Sequence, residues 1–338
     1  MIILRYLLFP FAILYGMITS IRNILFDKGI LKSYLFDIPI IAVGNLSVGG
    51  TGKTPQIEYL IRLLSPKYNV ATLSRGYKRK SEGFILADVH CNAEILGDEP
   101  FQMHQKFPNI KVAVDADRKN GIEQLLSLAE KPNVILLDDA FQHRKVKAGF
   151  YILLSAFDDL FCNDVLLPTG NLRESRSGAK RADVIIITKC PKDLSEIAQE
   201  NITKKIGLNS PIFFSSIDYD EKVYNKKESK SLTEIKNLDK LLLAGIAKPD
   251  PFFSYLQNGK DVKMVYPDHH NFTENDIKEI ENKAKNKLII TTEKDYVRLE
   301  KKDLKSLFYL PIASSFLSNG DNFDKTILNY VGTSSRNS

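Results

Sequence analysis

The chain has 338 residues, of which 43% are hydrophobic and 26% are charged, and its formal net charge is +6. This composition is that of a globular protein and excludes a disordered chain, while the length suggests about two domains. The modest positive charge suits an anionic membrane surface or a phosphorylated substrate. The histidines form no zinc signature, and the odd number of isolated cysteines predicts reduced cytosolic thiols rather than a disulfide scaffold. These cysteines are Cys91, Cys162 and Cys190.

The N-terminal segment of the chain is unusually apolar. Residues 6–21 carry almost no polar side chains and are flanked by Arg5 and Arg22. These 16 positions fall short of the ~20 that a spanning helix needs, and they include Pro10 and Gly16. We predict a helix that lies in or partly inside the membrane interface, with its arginines reaching head groups. A single membrane span and a buried packing helix are the alternatives.

A glycine-rich run at residues 47–54 is the most informative motif. It follows an apolar, partly β-branched stretch at 40–43 that predicts a buried strand, and it precedes a helical pattern at 56–64. Strand, glycine-rich turn and helix in this order predict a loop whose backbone N–H groups wrap a nucleotide phosphate. Lys53 would reach the β- and γ-phosphates, and the Thr54 hydroxyl would hold Mg²⁺. The residues expected to bind the nucleotide are Ser47, Val48, Gly49, Gly50, Thr51, Gly52, Lys53 and Thr54. The strict pattern has glycine where this chain has Ser47.

Strands and helices alternate from residue 40 onward. The predicted strands are 69–73, 111–114, 134–137, 151–154 and 184–188, and the predicted helices are 100–106, 118–129 and 193–206. This alternation predicts an α/β fold like that of P-loop NTPases, with a mostly parallel sheet covered by helices. Residues 74–84, which are basic and contain two glycines, predict a hairpin that stands off the sheet or an ordinary solvated loop.

A second, smaller α/β unit is predicted after a change in composition near residue 217. Residues 218–230 are charged and lack a clear period, so they predict a linker. Strands at 241–245, 262–266 and 288–292, with helices at 251–257 and 274–286, follow it. A last strand at 307–312 either completes this unit or returns to the first. The predicted division is 1–30 for the membrane-associated helix, 31–217 for the P-loop kinase domain, 218–330 for the smaller domain and 331–338 for a tail.

Acidic residues follow the predicted strand at 134–137. Asp138 and Asp139 stand where the Mg²⁺-associated carboxylate of a P-loop fold belongs, and Asp138 is the better candidate. In the loop at 167–174, Arg173 would neutralise the charge of the transferring group and Glu174 would join the metal shell. A surface salt bridge between these two residues is the alternative.

Asp98 precedes a predicted helix, where it would either cap that helix or act as general base for a hydroxyl nucleophile. His143 would contact phosphate or substrate, or serve only a structural role. In the second unit, one of His269 and His270 would orient a carboxylate across an interdomain cleft.

The motifs together resemble those of one family, the tetraacyldisaccharide 4′-kinases of lipid A biosynthesis. The resemblance runs in order through most of the chain, and two departures from the family pattern are Ala140 and the pair Ala247 and Lys248. The matching segments are the apolar N-terminus and residues 44–54, 74–77, 97–100, 138–143, 167–170, 173–174, 268–269 and 292–295.

The resemblance implies a membrane-associated lipid kinase with ATP and Mg²⁺ as cofactors. Such an enzyme transfers the γ-phosphate of ATP to the 4′-hydroxyl of a tetraacyldisaccharide 1-phosphate, which gives the bis-phosphorylated lipid A precursor. Asp98 is implied as the base, and His269, which matches the family's Asp-His pair, as its dyad partner. We expect a monomer that is peripheral or monotopic on the cytoplasmic face of the inner membrane, with the lipid as partner and no nucleic acid.

Two other functions fit parts of the sequence. A membrane-bound switch ATPase of the deviant P-loop class has a signature lysine where this chain has Val48, and it should hydrolyse ATP without a lipid acceptor. A soluble kinase of small metabolites would use the N-terminal helix only for packing.

Overall fold

The computed structural model describes residue 5 and residues 7–302 and 304–334. Its elements form two sheets, one of nine strands and one of six. The first part of the chain contains α1 (Phe9–Asp27), β1 (Ile40–Asn45), α2 (Lys53–Leu64), β2 (Val70–Ser74), β3 (Ile85–Leu86), α3 (Ala93–Leu96), α4 (Asp98–Lys106), β4 (Lys111–Val114), α5 (Arg118–Leu126), β5 (Val134–Asp138), β6 (Phe150–Ala156), β7 (Val184–Thr188), α6 (Glu196–Ile206) and β8 (Ile212–Tyr219). The rest contains β9 (Lys222–Tyr224), β10 (Ser229–Ser231), α7 (Leu232–Asn237), β11 (Lys240–Ala244), α8 (Asp250–Leu256), β12 (Val262–Val265), α9 (Glu274–Ala284), β13 (Leu288–Thr292), α10 (Glu293–Leu299), β14 (Leu307–Leu310), β15 (Ile312–Phe316) and α11 (Gly320–Ser334).

The larger sheet has the strand order β15-β8-β7-β6-β1-β5-β2-β4-β3. The strands from β8 to β4 run parallel, and the outer strands β15 and β3 are antiparallel to their neighbours. Strands β1, β5 and β7 are buried along their whole length because both faces of the sheet are covered, which explains their near-continuous apolar sequences. The predicted fold class, a mostly parallel P-loop-like sheet with helices, is confirmed.

Helix α2 shows how the apolar pattern directs packing. Its residues Ile57, Leu60, Ile61 and Leu64 recur at helical spacing and are fully buried against the sheet. This packing fixes the axis of the helix that follows the glycine-rich run, so the N-terminus of α2 lies at the carboxyl edge of β1.

The smaller sheet has the order β10-β9-β14-β13-β11-β12, in which β14, β13, β11 and β12 are parallel. Residues 218–230, predicted as a linker, instead complete β8 and form the antiparallel strands β9 and β10. Their charged side chains misled the prediction, because strands at or next to the edge of a sheet, as β10 and β9 are, tolerate such residues on their solvent sides.

The chain returns to the larger sheet after β14. The single strand predicted at 307–312 is two strands, and β15 pairs antiparallel with β8. Helix α11 then packs Phe323, Ile327 and Val331 into the core of the larger sheet. The division by sheet pairing therefore differs from the predicted one, since residues 312–334 belong with the larger sheet. Residues 331–334 of the predicted tail continue this helix because Val331 is fully buried, whereas residues 335–338 lie outside the described residues.

The basic segment at 74–84 is a loop with turns rather than a hairpin. It rests against α3, where the Lys80 N–H donates to the Glu94 carbonyl at 2.7 Å. The Ser81 hydroxyl donates to the Ile95 carbonyl at the next residue of the same helix.

Helix α1 lies on the outside of the molecule with most of its apolar side chains exposed. It is long and apolar enough to cross a membrane, and only 11% of its most apolar window is buried. Tyr15 donates to the Arg173 carbonyl at 2.8 Å, and Asn23 donates to Glu174 at 2.7 Å. Its polar side chains thus attach it to the larger unit. Residues 1–4 and 6 of the predicted helical segment lie outside the described residues.

Candidate active site

The phosphate loop, residues 47–54, joins β1 to α2 at the carboxyl edge of the larger sheet. Gly52 has φ of +81° and is the N-cap of α2, which begins at Lys53. A side chain would be strained at this φ, so glycine is needed there. No side chain caps the helix, and its first backbone N–H groups are therefore available to an anion, which the helix dipole also favours.

Neighbouring segments brace the phosphate loop from both sides. From the end of β7, the Thr188 hydroxyl donates to the Thr51 carbonyl at 2.8 Å, and Lys189 donates to the Gly50 carbonyl at 2.7 Å. On the other side, the Val48 N–H donates to the Asn171 carbonyl at 2.8 Å. The bonds from Thr188 and Lys189 occupy carbonyl groups of the loop, whereas the bond of Val48 uses its N–H. The first N–H groups of α2 are therefore the ones left for a phosphate.

Lys53, Asp139 and Arg173 meet beside the loop. The Lys53 ammonium is 3.5 Å from Asp139 Oδ1 and 3.5 Å from Asn45 Oδ1. Arg173 donates to both oxygens of Asp139, at 3.1 and 3.2 Å. The structure thus brings together three of the residues expected from the sequence, and it presents two cations next to the loop.

The two carboxylates after β5 have opposite electrostatics. Burial and the charge of Asp139 raise the pKa of Asp138 to about 6, and Asp138 Oδ1 is buried with no hydrogen-bond partner. Burial would also raise the pKa of Asp139, but the charges of Lys53 and Arg173 hold it below its ordinary value. The unpartnered oxygen of Asp138 suits a cation.

Within the described residues, no group of three or more His, Cys, Asp or Glu side chains could hold a metal ion without help. A site with only the Asp138 carboxylate as a free acidic donor fits Mg²⁺. This ion keeps most of its shell as water and substrate phosphate and uses one or two carboxylates.

Glu174, expected in the metal shell, has other partners. It is 3% exposed and accepts hydrogen bonds from Asn23, Gln142 and Arg181 at 2.7, 3.0 and 2.7 Å. Both of its oxygens are occupied by protein donors, so its contacts give no support to a metal role. They connect α1 to the loop that carries Arg173.

A second group of polar residues, here called the Asp98 cluster, consists of Asp98, His269, Lys294 and Arg298. His269 Nδ1 is 3.0 Å from Asp98 Oδ2, and Arg298 donates through Nε to Asp98 Oδ1 at 2.8 Å and through a second nitrogen to Oδ2. Lys294 Nζ is 2.9 Å from His269 Nε2. An ammonium can only donate, so His269 Nε2 accepts, and the ring proton on Nδ1 is directed at Asp98.

These contacts argue against one of the two roles predicted for Asp98, that of a helix cap. Helix α4 has Gly97 as its N-cap and no side-chain cap bond, so Asp98 does not cap the helix. Burial would raise the pKa of Asp98, but hydrogen bonds from His269 and Arg298 and the charge of Arg298 hold it below its ordinary value. Asp98 is therefore an ionised carboxylate at neutral pH.

The side chains of the two other candidate histidines have different surroundings. His270 Nε2 is 3.0 Å from Asp276 Oδ2, at the first turn of α9. Burial and the charge of Arg118 lower the pKa of His143 to about 4, so it is neutral, and its Nε2 is buried with no partner. The predicted choice of His269 over His270 agrees with the position of Asp98.

The sequence analysis missed Arg298, and it included Lys294 in the matching segment 292–295 without a role. Both lie on α10, which directly follows β13 of the smaller sheet, and His269 follows β12. Asp98 belongs to the larger unit, so the cluster closes across the cleft between the two sheets. The parallel strands of the smaller sheet thus direct their carboxyl ends at the cleft, which is the usual place for ligands in such sheets.

Comparisons with known proteins agree with this arrangement. A family model described as tetraacyldisaccharide-1-P 4′-kinase (LpxK) matches residues 4–332. The tetraacyldisaccharide 4′-kinase of Flavobacterium psychrophilum is 68% identical over 99% of both chains, and that of Bacteroides thetaiotaomicron is 46% identical over 98% of this chain and 94% of its own. A crystal structure of LpxK from Aquifex aeolicus in complex with ATP superposes with a TM-score of 0.79 at 32% identity, covering 97% of this chain and 99% of that one.

Proposed function

Because this chain belongs to the tetraacyldisaccharide 4′-kinase family, we propose that the phosphate loop and the Asp98 cluster divide one phosphoryl transfer between them. The enzyme transfers the γ-phosphate of ATP to the 4′-hydroxyl of a tetraacyldisaccharide 1-phosphate. Its product is the 1,4′-bisphosphate precursor of lipid A. The observation that carries the division of roles is the 3.0 Å contact between Asp98 and His269, two residues 171 positions apart.

The phosphate loop binds the triphosphate. Backbone N–H groups of residues 47–54, other than those of Val48 and Thr51, which bond to carbonyl groups of the protein, surround the β- and γ-phosphates. The N-terminus of α2 adds positive partial charge. Lys53 and Arg173, which now pair with Asp139, neutralise the negative charge of the transferring group. Phosphoryl transfer needs positioned cations more than covalent help from the protein, so these two residues carry much of the rate enhancement.

Thr54 and Asp138 would hold Mg²⁺, which would neutralise charge on the phosphate oxygens. Support for Asp138 comes from its unpartnered buried oxygen. The pKa of Asp138, which burial and Asp139 raise to about 6, falls when a cation lies beside it.

Asp98 accepts the proton of the 4′-hydroxyl. A carboxylate has about four lone-pair positions, and the two bonds from Arg298 and one from His269 occupy three of them. The position left is on Oδ1, which is therefore the atom that receives the proton. His269 fixes the orientation of the carboxylate, and Arg298 keeps it ionised. A weak base suffices because the proton leaves late in a loose transition state.

Helix α1 attaches the enzyme to the cytoplasmic face of the inner membrane as a peripheral or monotopic protein. Its exposed apolar side chains include Leu14, Ile18 and Ile21, which are 55%, 59% and 54% exposed. A substrate with several acyl chains lies in the bilayer, and such a helix brings the site to it. The phosphate loop and the Asp98 cluster both come from one chain, so a monomer suffices for the proposed activity.

The membrane assignment is tested by replacing Leu14, Ile18 and Ile21 with Gln, which leaves the polar contacts of Tyr15 and Asn23 in place. We expect weaker binding to anionic vesicles and unchanged turnover of detergent-dispersed acceptor. The control is Ile197→Gln on α6, where a 73% exposed apolar residue should have no influence on vesicle binding. Equal vesicle binding of the triple variant and the wild type would contradict the role of α1.

The activity is tested by incubating the protein with ATP, Mg²⁺ and the lipid acceptor and locating the new phosphate on the sugar. We expect a phosphate on the 4′-oxygen and no appreciable ATP turnover without acceptor. Turnover that is independent of the lipid would instead indicate a switch ATPase.

A further inference from the structure

A cluster of charged side chains lies between the two units and outside the site described above. The Lys106 cluster consists of Glu58, Arg62, Lys106 and Glu293. Lys106 Nζ is 2.8 Å from a Glu58 oxygen and 2.7 Å from a Glu293 oxygen. Glu58 also accepts from Arg62 at 3.0 Å and from Gln102 at 2.9 Å.

The cluster is costly to bury. The side chains of Glu58, Glu293 and Lys106 are 2%, 9% and 20% exposed. Removing such charges from water costs several kcal/mol per ion, and their mutual attraction roughly offsets this only when geometry is good. A buried ion cluster is therefore a poor source of stability, and its better-attested use is to select one arrangement of the elements that carry it.

Each residue of the cluster lies on a helix that also serves the active site. Glu58 and Arg62 are on α2, which starts at Lys53 of the phosphate loop. Lys106 is the last residue of α4, which starts at Asp98. Glu293 is the first residue of α10, which carries Lys294 and Arg298 of the Asp98 cluster. One ammonium group thus contacts carboxylates from two other helices, one in each unit.

Only two crossings of the chain connect the units, and they do not fix the orientation of one unit relative to the other. That orientation depends on non-covalent contacts such as those of the Lys106 cluster. The chain crosses from the larger to the smaller sheet at Asp220 and returns at Pro311, where the Asp220 N–H donates to the Pro311 carbonyl at 3.1 Å. A cavity of about 270 Å³ lies beside these crossings, and Lys106 and Glu293 form part of its wall. Because no protein side chain fills this space next to the crossings, side-chain packing beside the crossings does little to fix the angle between the units.

We propose that Lys106 is a positioning residue that holds His269 and Arg298 against Asp98 by way of Glu58 and Glu293. This inference rests on the proposed function, in which Asp98 is the base. Without Lys106, two buried carboxylates repel each other across the boundary between the units. The smaller unit then moves away from α4, and the three donors to Asp98 lose their common geometry. A displacement of about 1 Å at a reacting group can cost 10²-fold in rate.

The test compares kcat and the KM for ATP in the full-length enzyme. We expect Lys106→Met to lower kcat by about 10- to 100-fold, with the KM for ATP within about threefold of wild type. Lys106→Arg, which keeps the charge, should restore most of the rate. The control is Lys283→Met on α9, which removes a surface lysine paired with Glu279 at 2.7 Å and should leave kcat unchanged.

A second variant covers the case in which Lys106→Met fails to fold because two buried carboxylates lack a counter-ion. The combination of Glu58→Gln, Lys106→Met and Glu293→Gln removes all three buried charges at nearly constant volume, and such replacements are often neutral for stability. Arg62, with 43% of its side chain exposed, remains hydrated. We expect this variant to unfold near the wild-type temperature. Its kcat should still be reduced, because no ion pair then selects one orientation of the two units, although no carboxylates repel each other. A wild-type kcat would overturn the proposal.

The effect of Lys106→Met on kcat is also measured in the Asp98→Asn variant, which separates a positioning role of Lys106 from a general structural effect. If Lys106 acts through Asp98, then Lys106→Met should lower kcat by less than about threefold there, because coupled residues are non-additive. An equal loss in both backgrounds would refute the proposal. An unchanged kcat in Asp98→Asn alone would instead refute the proposed function, so the two failures are distinguishable.

Discussion

The phosphate loop and the Asp98 cluster both serve one reaction, but the chain builds them differently. The loop is one stretch of eight consecutive residues, and its shape comes from a strand, a glycine turn and a helix start. The Asp98 cluster joins side chains that are 171 and 200 residues apart. The phosphate loop is a local structure within the larger unit. The Asp98 cluster forms only when the two units have the correct relative orientation.

This difference predicts different responses to perturbation. The loop should bind nucleotide in any state in which the larger sheet is folded. The Asp98 cluster should depend on every contact that sets the distance between the units. Binding of ATP and transfer of its phosphate are therefore separable by mutation.

Lys53→Ala should have the largest effect. Lys53 lies between the loop and Asp139, and its removal leaves the charge of the transferring group without its main protein cation. We expect transfer to the lipid to fall to background. The measurement is phosphate transfer at saturating ATP. Unchanged turnover would contradict the assignment of residues 47–54 as the loop that binds the triphosphate.

Asp98→Asn should come next, with kcat lower by ~10²–10⁴ and ATP affinity largely unchanged. His269→Ala should lower kcat less, because the ring orients the carboxylate and does not take the proton. A double-mutant cycle checks this, and we expect the combined loss to be close to that of Asp98→Asn alone. Additive losses would show that the two residues act independently.

Arg298→Met should shift the pH dependence of the reaction. Arg298 opposes the burial that would raise the pKa of Asp98, so that pKa should be higher without Arg298. The acidic limb of the kcat profile should therefore move to higher pH. Arg298→Lys, which keeps the charge but loses the paired bonds, should shift it less. Superimposable profiles would argue that Asp98 is not the titrating base.

Glu293→Gln should have the smallest effect, on stability. Burial and the charge of Glu58 raise the pKa of Glu293 to about 7, from an ordinary value of 4.5. The groups that face it are Glu58, Arg62, Lys106 and Tyr309. Since the folded state then binds the proton more tightly than the unfolded state, stability falls as pH rises from about 4.5 to 7.

The expected size of this term is on the order of 1–3 kcal/mol. Glu293→Gln should remove it, which is measured as a smaller difference between urea midpoints at pH 5 and pH 8. The control is Glu279→Gln, an exposed residue of α9 that should keep the wild-type difference. An equal pH dependence in both variants would show that Glu293 titrates normally.

The same contrast explains which parts could be predicted from the sequence. The phosphate loop and the acids after β5 depend on neighbours within a few residues, and strand period, turn chemistry and helix start all point to one structure. The family resemblance supplied the pairing of Asp98 with His269, which no local pattern contains.

Other features depend on the three-dimensional arrangement alone. Arg298 and Lys106 look like ordinary surface cations on their helices, and only the packing of α4 against α10 and α2 gives them carboxylate partners. Glu174 was expected near the metal, but Asn23 and Arg181 occupy its oxygens. Asn23 is 151 residues away in the sequence, so this contact could not be predicted from neighbouring residues. Charge pattern along a chain does not reveal which charges will be buried together.

The pairing of Tyr219 with Ile312 across β8 and β15 has a consequence for how such an enzyme can be taken apart. Residues 220–311 depart from and rejoin neighbouring strands at facing positions, as an insertion within a hairpin does. A two-residue Asn-Gly turn has the geometry to close that gap. The shortened chain should then fold as a self-standing nucleotide-binding protein, able to hold ATP and unable to deliver its phosphate to any alcohol.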